Sequence, residues 1–203
     1  MRPSTHLALY CLGLAKAETQ VTPTERQCLL NHARGSKLAA EIGVWHGVTT
    51  SALRQVMDIS GTLHAIDPYP AGRMGFSIQR LIASREIRKS LGAEVRFLRM
   101  TGLEAAKRFL DDGVCNFDFV FIDGDHSFEG LKGDWEGWSR LVRPGGCVAL
   151  HDSRSSALRK IETAGSVQFT KQVILKDTAF NLVSETETLT VLARKRVQLE
   201  ATS

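Results

Sequence analysis

The chain has 203 residues, of which 43% are hydrophobic and 24% charged, and its formal net charge is +4. These proportions describe one globular domain and exclude a disordered, fibrous or low-complexity chain. No stretch approaches the roughly 18–20 consecutive apolar residues of a spanning helix, which excludes a membrane-crossing role. Cys11, Cys28, Cys115 and Cys147 form no Cys-x-x-Cys pair. That pattern excludes a zinc ribbon or disulfide framework and points to reduced thiols in the cytoplasm.

Arg2, the apolar run Leu7–Ala15 and the small residues Ala15 and Ala17 outline a secretory leader. The reading preferred here is an N-terminal helix over 4–17. Pro23 opens a second helix from its first turn, and Gly35 ends it. Residues 1–35 are therefore expected as helices packed on a core of residues 36–195, with 196–203 as a tail.

Leu38–Ile42 reads as a short strand running into Gly43-Val-Trp-His-Gly47. Thr49, Thr50 or Ser51 can cap the next helix, which should turn Leu53, Val56 and Ile59 inward. Thr62–Ile66 is the second strand, ending at Asp67. A helix is expected over 73–91, irregular near Gly75, then a strand at Val95–Arg99 and a helix at Leu103–Leu110. Phe117–Ile122 is apolar at nearly every position, as a strand covered on both faces should be. Asp123-Gly-Asp-His126 follows it. Ser127 can cap a helix whose Phe128, Leu131, Trp135, Trp138 and Leu141 recur at helical spacing. Trp135 and Trp138 read as core. Pro144-Gly-Gly146 reads as a turn before the buried strand Cys147–Leu150, which ends at His151 and Asp152. Residues 153–165 are helix or loop, and Val173–Leu175 with Leu189–Ala193 are expected to close the sheet as an antiparallel pair.

Strands alternating with helices predict an α/β fold: a doubly wound, Rossmann-like, seven-stranded sheet, mostly parallel with a C-terminal antiparallel strand. In such sheets ligands bind at the carboxyl edge. That edge collects Glu41, Asp67, Asp123, His126 and Asp152.

The glycine turn at 43–47 decides among ligands. A dinucleotide site needs Gly-x-Gly-x-x-Gly, and from Gly43 those positions hold Gly43, Trp45 and Val48. Trp45 would block the approach of a pyrophosphate, and no Gly-Lys-Ser/Thr of a phosphate loop follows. What remains, Glu41 with Gly43 and Gly47, resembles the first motif of class I S-adenosylmethionine-dependent methyltransferases. Phe121-Ile-Asp-Gly-Asp-His-Ser-Phe-Glu-Gly130 and Arg143-Pro-Gly-Gly-Cys-Val-Ala-Leu-His-Asp152 resemble, within that class, the macrolide-sugar and cephalosporin-biosynthesis O-methyltransferase group. The likeness covers about residues 36–195.

That resemblance implies S-adenosylmethionine as cofactor, held by Glu41, Gly43, Trp45, Gly47, Asp67, Thr101 and Asp123. Asp67 would accept both ribose hydroxyls, and Thr101 would stand near the adenine. It implies His126 as general base and Asp123 and Asp152 as ligands of a divalent metal. Hard oxygen ligands suit Mg²⁺. His151 and Ser153 replace the acid or Asn found beside Asp152 in relatives, which moves the preference toward Mn²⁺. An imidazole can deprotonate a phenol with modest help, whereas a sugar hydroxyl needs the metal as well.

The expected activity is O-methylation of a small-molecule hydroxyl on a sugar or natural product. Residues 73–108 carry nine Lys/Arg against three Glu, which reads as a solvated helix face, with arginines that could greet an anionic acceptor. The alternatives are an RNA methyltransferase using that segment or a cofactor-binding protein without turnover. Nucleic acid is disfavoured because no aromatics interleave with the basic residues. A homodimer is the remaining expected assembly.

Overall fold

The computed structural model describes residues 3–72 and 75–196. Two helices, α1 (Pro3–Cys11) and α2 (Pro23–Ala33), precede the alternating part: β1 (Leu38–Ile42), α3 (Val48–Val56), β2 (Thr62–Ile66), α4 (Ile78–Arg88), β3 (Glu94–Leu98), α5 (Gly102–Asp111), β4 (Phe117–Ile122), α6 (Phe128–Leu141) and β5 (Val142–Leu150). The chain closes with α7 (Gly165–Gln172), a short 3-10 turn at Ile174–Lys176, β6 (Phe180–Thr186) and β7 (Leu189–Arg194). The seven strands form one sheet in the order β3-β2-β1-β4-β5-β7-β6. Strands β1 to β5 are parallel, while β7 pairs antiparallel with both β5 and β6. The expected doubly wound, mostly parallel sheet is therefore the observed one.

The strands are apolar throughout because helices cover both faces. Alternate residues of β4 serve opposite layers. Val120 and Ile122 pack with Trp135, Trp138 and Phe169, and Phe119 and Phe121 pack with Leu29, Leu53 and Leu189. Trp138 is fully buried, yet its indole N–H donates to the Gly102 carbonyl at 3.0 Å, so its polar atom is satisfied. Phe109, Phe117 and Trp138 meet edge to face around it. The core reading of Trp135 and Trp138 holds.

Several local expectations fail for physical reasons. The first helix stops at Cys11 rather than reaching residue 17. The cap of α3 is Gly47 in the left-handed region, with no side-chain bond, because Thr50 turns its hydroxyl to Glu41 instead. Ile59 lies past the end of that helix and is exposed. Helix α4 begins only at Ile78, capped by Ser77. Pro144-Gly-Gly146 is an irregularity inside β5, where the pairing with β4 shifts register, rather than a turn before it. Val173–Leu175 forms the end of α7 and the 3-10 turn, and the partner of β7 is Phe180–Thr186. Most of the expected tail lies outside the described residues. Among the described residues no helix is long and apolar enough to cross a membrane.

Candidate functional site

At the carboxyl edge of β1 the chain makes a turn whose shape depends on Gly43. It has φ +88°, and a Cβ there would lie 2.0 Å from the carbonyl oxygen of Asp123. The β1–α3 and β4–α6 loops are thus in backbone contact, as Asp123 N–H donating to Ile42 O at 2.7 Å also shows. Gly47 serves packing: a Cβ there would meet Ala83 of α4 at 3.1 Å. Trp45 also has positive φ (+48°), a costly conformation for a bulky residue. Asp67 supplies the compensation. Its Oδ2 accepts the N–H of Val44 and of Trp45 at 3.1 and 3.0 Å, and its Oδ1 accepts the Tyr69 N–H at 2.8 Å. A carboxylate offers about four acceptor sites. Two of them hold the turn and a third holds Tyr69 beyond it, which leaves about one for a ligand hydroxyl rather than the two expected.

Glu41, at the end of β1, is buried and accepts the Thr50 hydroxyl. Burial pushes its pKa up to about 8, the Thr50 bond partly opposing this and the charges of Asp123 and Asp67 reinforcing it. Glu41 therefore carries its proton at neutral pH.

Strands β4 and β5 bring the other expected residues to one corner. Asp123 Oδ1 pairs with His151 Nδ1 at 2.8 Å and faces His126 Nε2 at 3.5 Å. Asp152, with φ +48°, faces His126 Nε2 at 3.9 Å and is held by Arg159 Nη2 at 2.7 Å. His151 is buried, and its Nε2 lies 3.5 Å from Glu25 Oε2. Burial opposes charge on His151, but the hydrogen bond to Asp123 and the Glu25 carboxylate 3.5 Å away outweigh it and raise its pKa to about 10. The complement is Glu25. Burial would raise its pKa, yet bonds from His151, Thr188 and backbone N–H groups bring it down to about 2. His151 is thus a buried cation clamped between two carboxylates.

At the opposite end, Thr101 is occupied by a capping box with Glu104, which starts α5. Its backbone lines the site, but its hydroxyl is engaged locally. The residue that sequence reasoning missed there is Asp134. It is 6% exposed, and Gly102 and Gly124 make room for its carboxylate, since a Cβ at Gly102 would stand 2.2 Å from Oδ1. Burial, with the charge of Asp125, raises its pKa to about 6, and hydrogen bonding takes no part in that shift. A signal existed: position 134 lies three residues past Leu131 on the apolar stripe of α6, where an acid is out of pattern.

Glu41, Gly43, Trp45, Asp67, Thr101, Asp123, His126 and Asp134 all line one cavity of about 750 Å³, a size that suits a nucleoside-sized ligand. The N-terminal segment Glu18-Thr-Gln20 forms part of its wall. Asp152 and His151 stand behind the lining. Among the described residues, seven of the lining side chains are Asp or Glu and none is Lys or Arg. The basic segment spends its charge elsewhere: Lys89 pairs with Glu86, Arg96 with Glu94, and Arg99 donates to Tyr69 O.

The expected metal pair can be tested on this arrangement. Asp152 Oδ2 faces a guanidinium and Asp123 Oδ1 faces a buried imidazolium. Two fixed cations stand beside the pair and take one oxygen of each carboxylate, while Asp152 Oδ1 stays buried without a hydrogen-bond partner among the described residues, and entry of a hard dication would require those cations to move. The pair does not fit Mg²⁺ in this arrangement.

A family model described as "Methyltransferase domain" matches residues 40–153. Among solved structures, the fold is similar to that of a Corynebacterium glutamicum protein at TM-score 0.69 and 18% identity, covering 96% of this chain and 98% of that one. It is similar to an O-methyltransferase from Bacillus cereus in complex with SAH, at TM-score 0.62 and 17% identity, covering 95% and 90%. It is also similar to the O-methyltransferase TomG of tomaymycin synthesis from Streptomyces achromogenes, in complex with SAM, at TM-score 0.66 and 15% identity, covering 95% and 88%. At these identities the likeness establishes a shared fold.

Proposed function

The chain belongs to the methyltransferase-domain family that its residues 40–153 match, and from that premise we propose that it moves a methyl group from S-adenosylmethionine to a hydroxyl of a small natural product. The observation that carries this reading is the cavity: acid-rich, without Lys or Arg among the described residues of its lining, and edged by His126. A sulfonium cation is stabilised there by Coulomb attraction, whereas the pyrophosphate of a dinucleotide would be repelled. The clamped turn of Gly43 to Trp45 receives the amino-acid tail, and Asp67 accepts one ribose hydroxyl. The slot between Gly102 and Gly124 takes the base, with Asp134 facing it.

The reaction is one in-line displacement. The acceptor oxygen attacks the methyl carbon, the carbon–sulfur bond breaks, and its electron pair stays on sulfur as the neutral thioether. The hydroxyl proton passes to His126. Asp123 orients that imidazole and stabilises the charge it gains, and His151 and Glu25 fix Asp123 from behind. No step is routed through a metal, so the acceptor that suits this site is a phenol or a comparably acidic hydroxyl. The acid lining favours neutral or cationic acceptors over anionic ones.

Calorimetry with S-adenosylhomocysteine, followed by labelled-methyl transfer to paired phenol and sugar acceptors, tests the reading. Saturable cofactor binding with EDTA-insensitive transfer to the phenol supports it. Absence of cofactor binding overturns it. His126→Gln should lower turnover about 10²–10⁴-fold with cofactor affinity unchanged, and full turnover in that variant removes the base.

A further inference from the structure

A second cluster of ligating side chains lies outside the reaction just described. His6 of α1, Glu18 of the following segment and His46 of the β1–α3 turn bring one ligand atom each within 4.8 Å of one another. His6 and His46 are 7% and 4% exposed, and their rings meet edge to face at 5.1 Å. Such a meeting of residues forty positions apart, in an otherwise apolar setting, calls for a reason. Buried imidazoles are costly unless their nitrogens find partners.

The hydrogen bonds fix which nitrogens carry lone pairs. His6 Nε2 lies 2.9 Å from Lys16 O. A carbonyl only accepts, so Nε2 holds the proton and Nδ1 faces Glu18 Oε1 at 3.6 Å. His46 Nδ1 accepts the backbone N–H of Glu18 at 3.1 Å and faces Glu18 Oε2 at 3.9 Å. An N–H that donates to His46 Nδ1 requires a lone pair on that nitrogen. Two imidazole nitrogens and a carboxylate thus converge with electron pairs facing one another. A proton on one ring would relieve one of these contacts, whereas a metal ion relieves them all.

We propose that His6 Nδ1, His46 Nδ1 and the Glu18 carboxylate form a site for a borderline divalent transition ion, zinc being the best fit. Tetrahedral zinc with arms of 2.0–2.1 Å separates its ligand atoms by about 3.4 Å. Glu18 presents Oε1 to His6 at 3.6 Å and Oε2 to His46 at 3.9 Å, so bringing one oxygen to both rings takes a rotation of that half-exposed carboxylate and a small contraction. Two nitrogens with one carboxylate favour zinc over Mg²⁺. The Lys16 carbonyl behind His6 is the outer partner that a ligating imidazole normally has. Glu18 is half exposed, so the ion can enter and a water can complete the set. On entry the ion takes the lone pair that His46 now offers to the Glu18 N–H. The ion would tie the segment holding Glu18, Thr19 and Gln20, part of the cavity wall, to the turn that carries Trp45. It has no part in the methyl transfer.

The test uses the full-length protein stripped with chelator. Zinc is titrated in competition with a chromophoric chelator, and Co²⁺ replaces it for spectroscopy. One equivalent of zinc, with the intense visible band of four-coordinate Co²⁺, is expected. His6→Gln and Glu18→Gln should each weaken zinc at least about 100-fold, and Asp123→Asn should leave the affinity within about twofold. Glu18→Gln is half exposed, so its fold is secure if His6→Gln proves unstable. Failure to bind a stoichiometric ion overturns the proposal. So does binding that survives both the His6 and Glu18 changes, or that Asp123→Asn abolishes, which would place the ion at Asp123, His126 and His151 instead.

Discussion

Asp67 shows how one side chain can serve the fold and the ligand together. It holds two backbone N–H groups of a strained turn and a third beyond it. Asp67→Asn keeps the volume but removes acceptor capacity, so cofactor affinity should fall about 10–100-fold, as measured by calorimetry. Unchanged affinity would show that neither the turn nor the ribose relies on it. Gly43 has no tolerated substitute, because a Cβ would sit inside the Asp123 backbone. Asp134 is the residue through which base recognition can be read. Asp134→Asn should weaken S-adenosylhomocysteine, whose base carries an amine, more than an analogue with a 6-oxo base. Equal loss for both would leave Asp134 as packing. The motif positions Glu41, Gly43, Asp67 and Asp123 were legible in the sequence because each ends a strand or opens a turn. Asp134 was not, since its role depends on the glycines facing it from α5 and from the loop after β4.

Among the elements, α2 does more than cover the sheet. Its capping box joins Thr22 and Glu25, and the same Glu25 carboxylate accepts Thr188 and faces His151. Thr-x-x-Glu before an apolar run is a readable signature of a helix start, but nothing local shows that the glutamate reaches an imidazole 126 positions away. Thr22→Ala should cost about 1 kcal/mol in denaturant unfolding. His151→Ala should cost more, about 3–5 kcal/mol, because it leaves the buried Glu25 and the half-buried Asp123 without their counter-charge. If both cost the same, the buried pair contributes little. At the other end of the chain, Val173–Leu175 carries β-branched residues yet continues α7, since Ile174 is needed in the core beside Phe169 and Phe180. Packing overrode propensity there.

Across the molecule, the Glu25–His151 contact makes stability depend on pH in a defined sense. His151 has a raised pKa, so its contribution is complete below about 6.5 and decays as pH rises through about 10. Glu25 has a lowered pKa, so its contribution is complete above about 4.5 and is lost as pH falls toward about 2. Glu41 is raised, so stability is lost from about pH 4.5, where the unfolded carboxyl ionises, until about pH 8, where the loss is complete. Unfolding free energy should therefore peak near about pH 4.5 and decline up to about pH 10. Glu41→Gln should flatten the fall between about pH 4.5 and 8 and leave that between about 8 and 10, and a wild-type profile level from about pH 5 to 10 would contradict both assignments. The sequence by itself determined the alternating architecture, the strand ends that carry acids and the Trp135–Trp138 core, because periodicity and turn chemistry are local. Tertiary structure alone decided that His151 and Arg159 stand beside the place where a dication was expected, that Arg80, Arg85 and Arg88 lie outside the cavity, and that α1 meets the β1–α3 turn. Those outcomes depend on distances between segments far apart in the chain, and electrostatic fit across such distances leaves no mark on either segment taken singly.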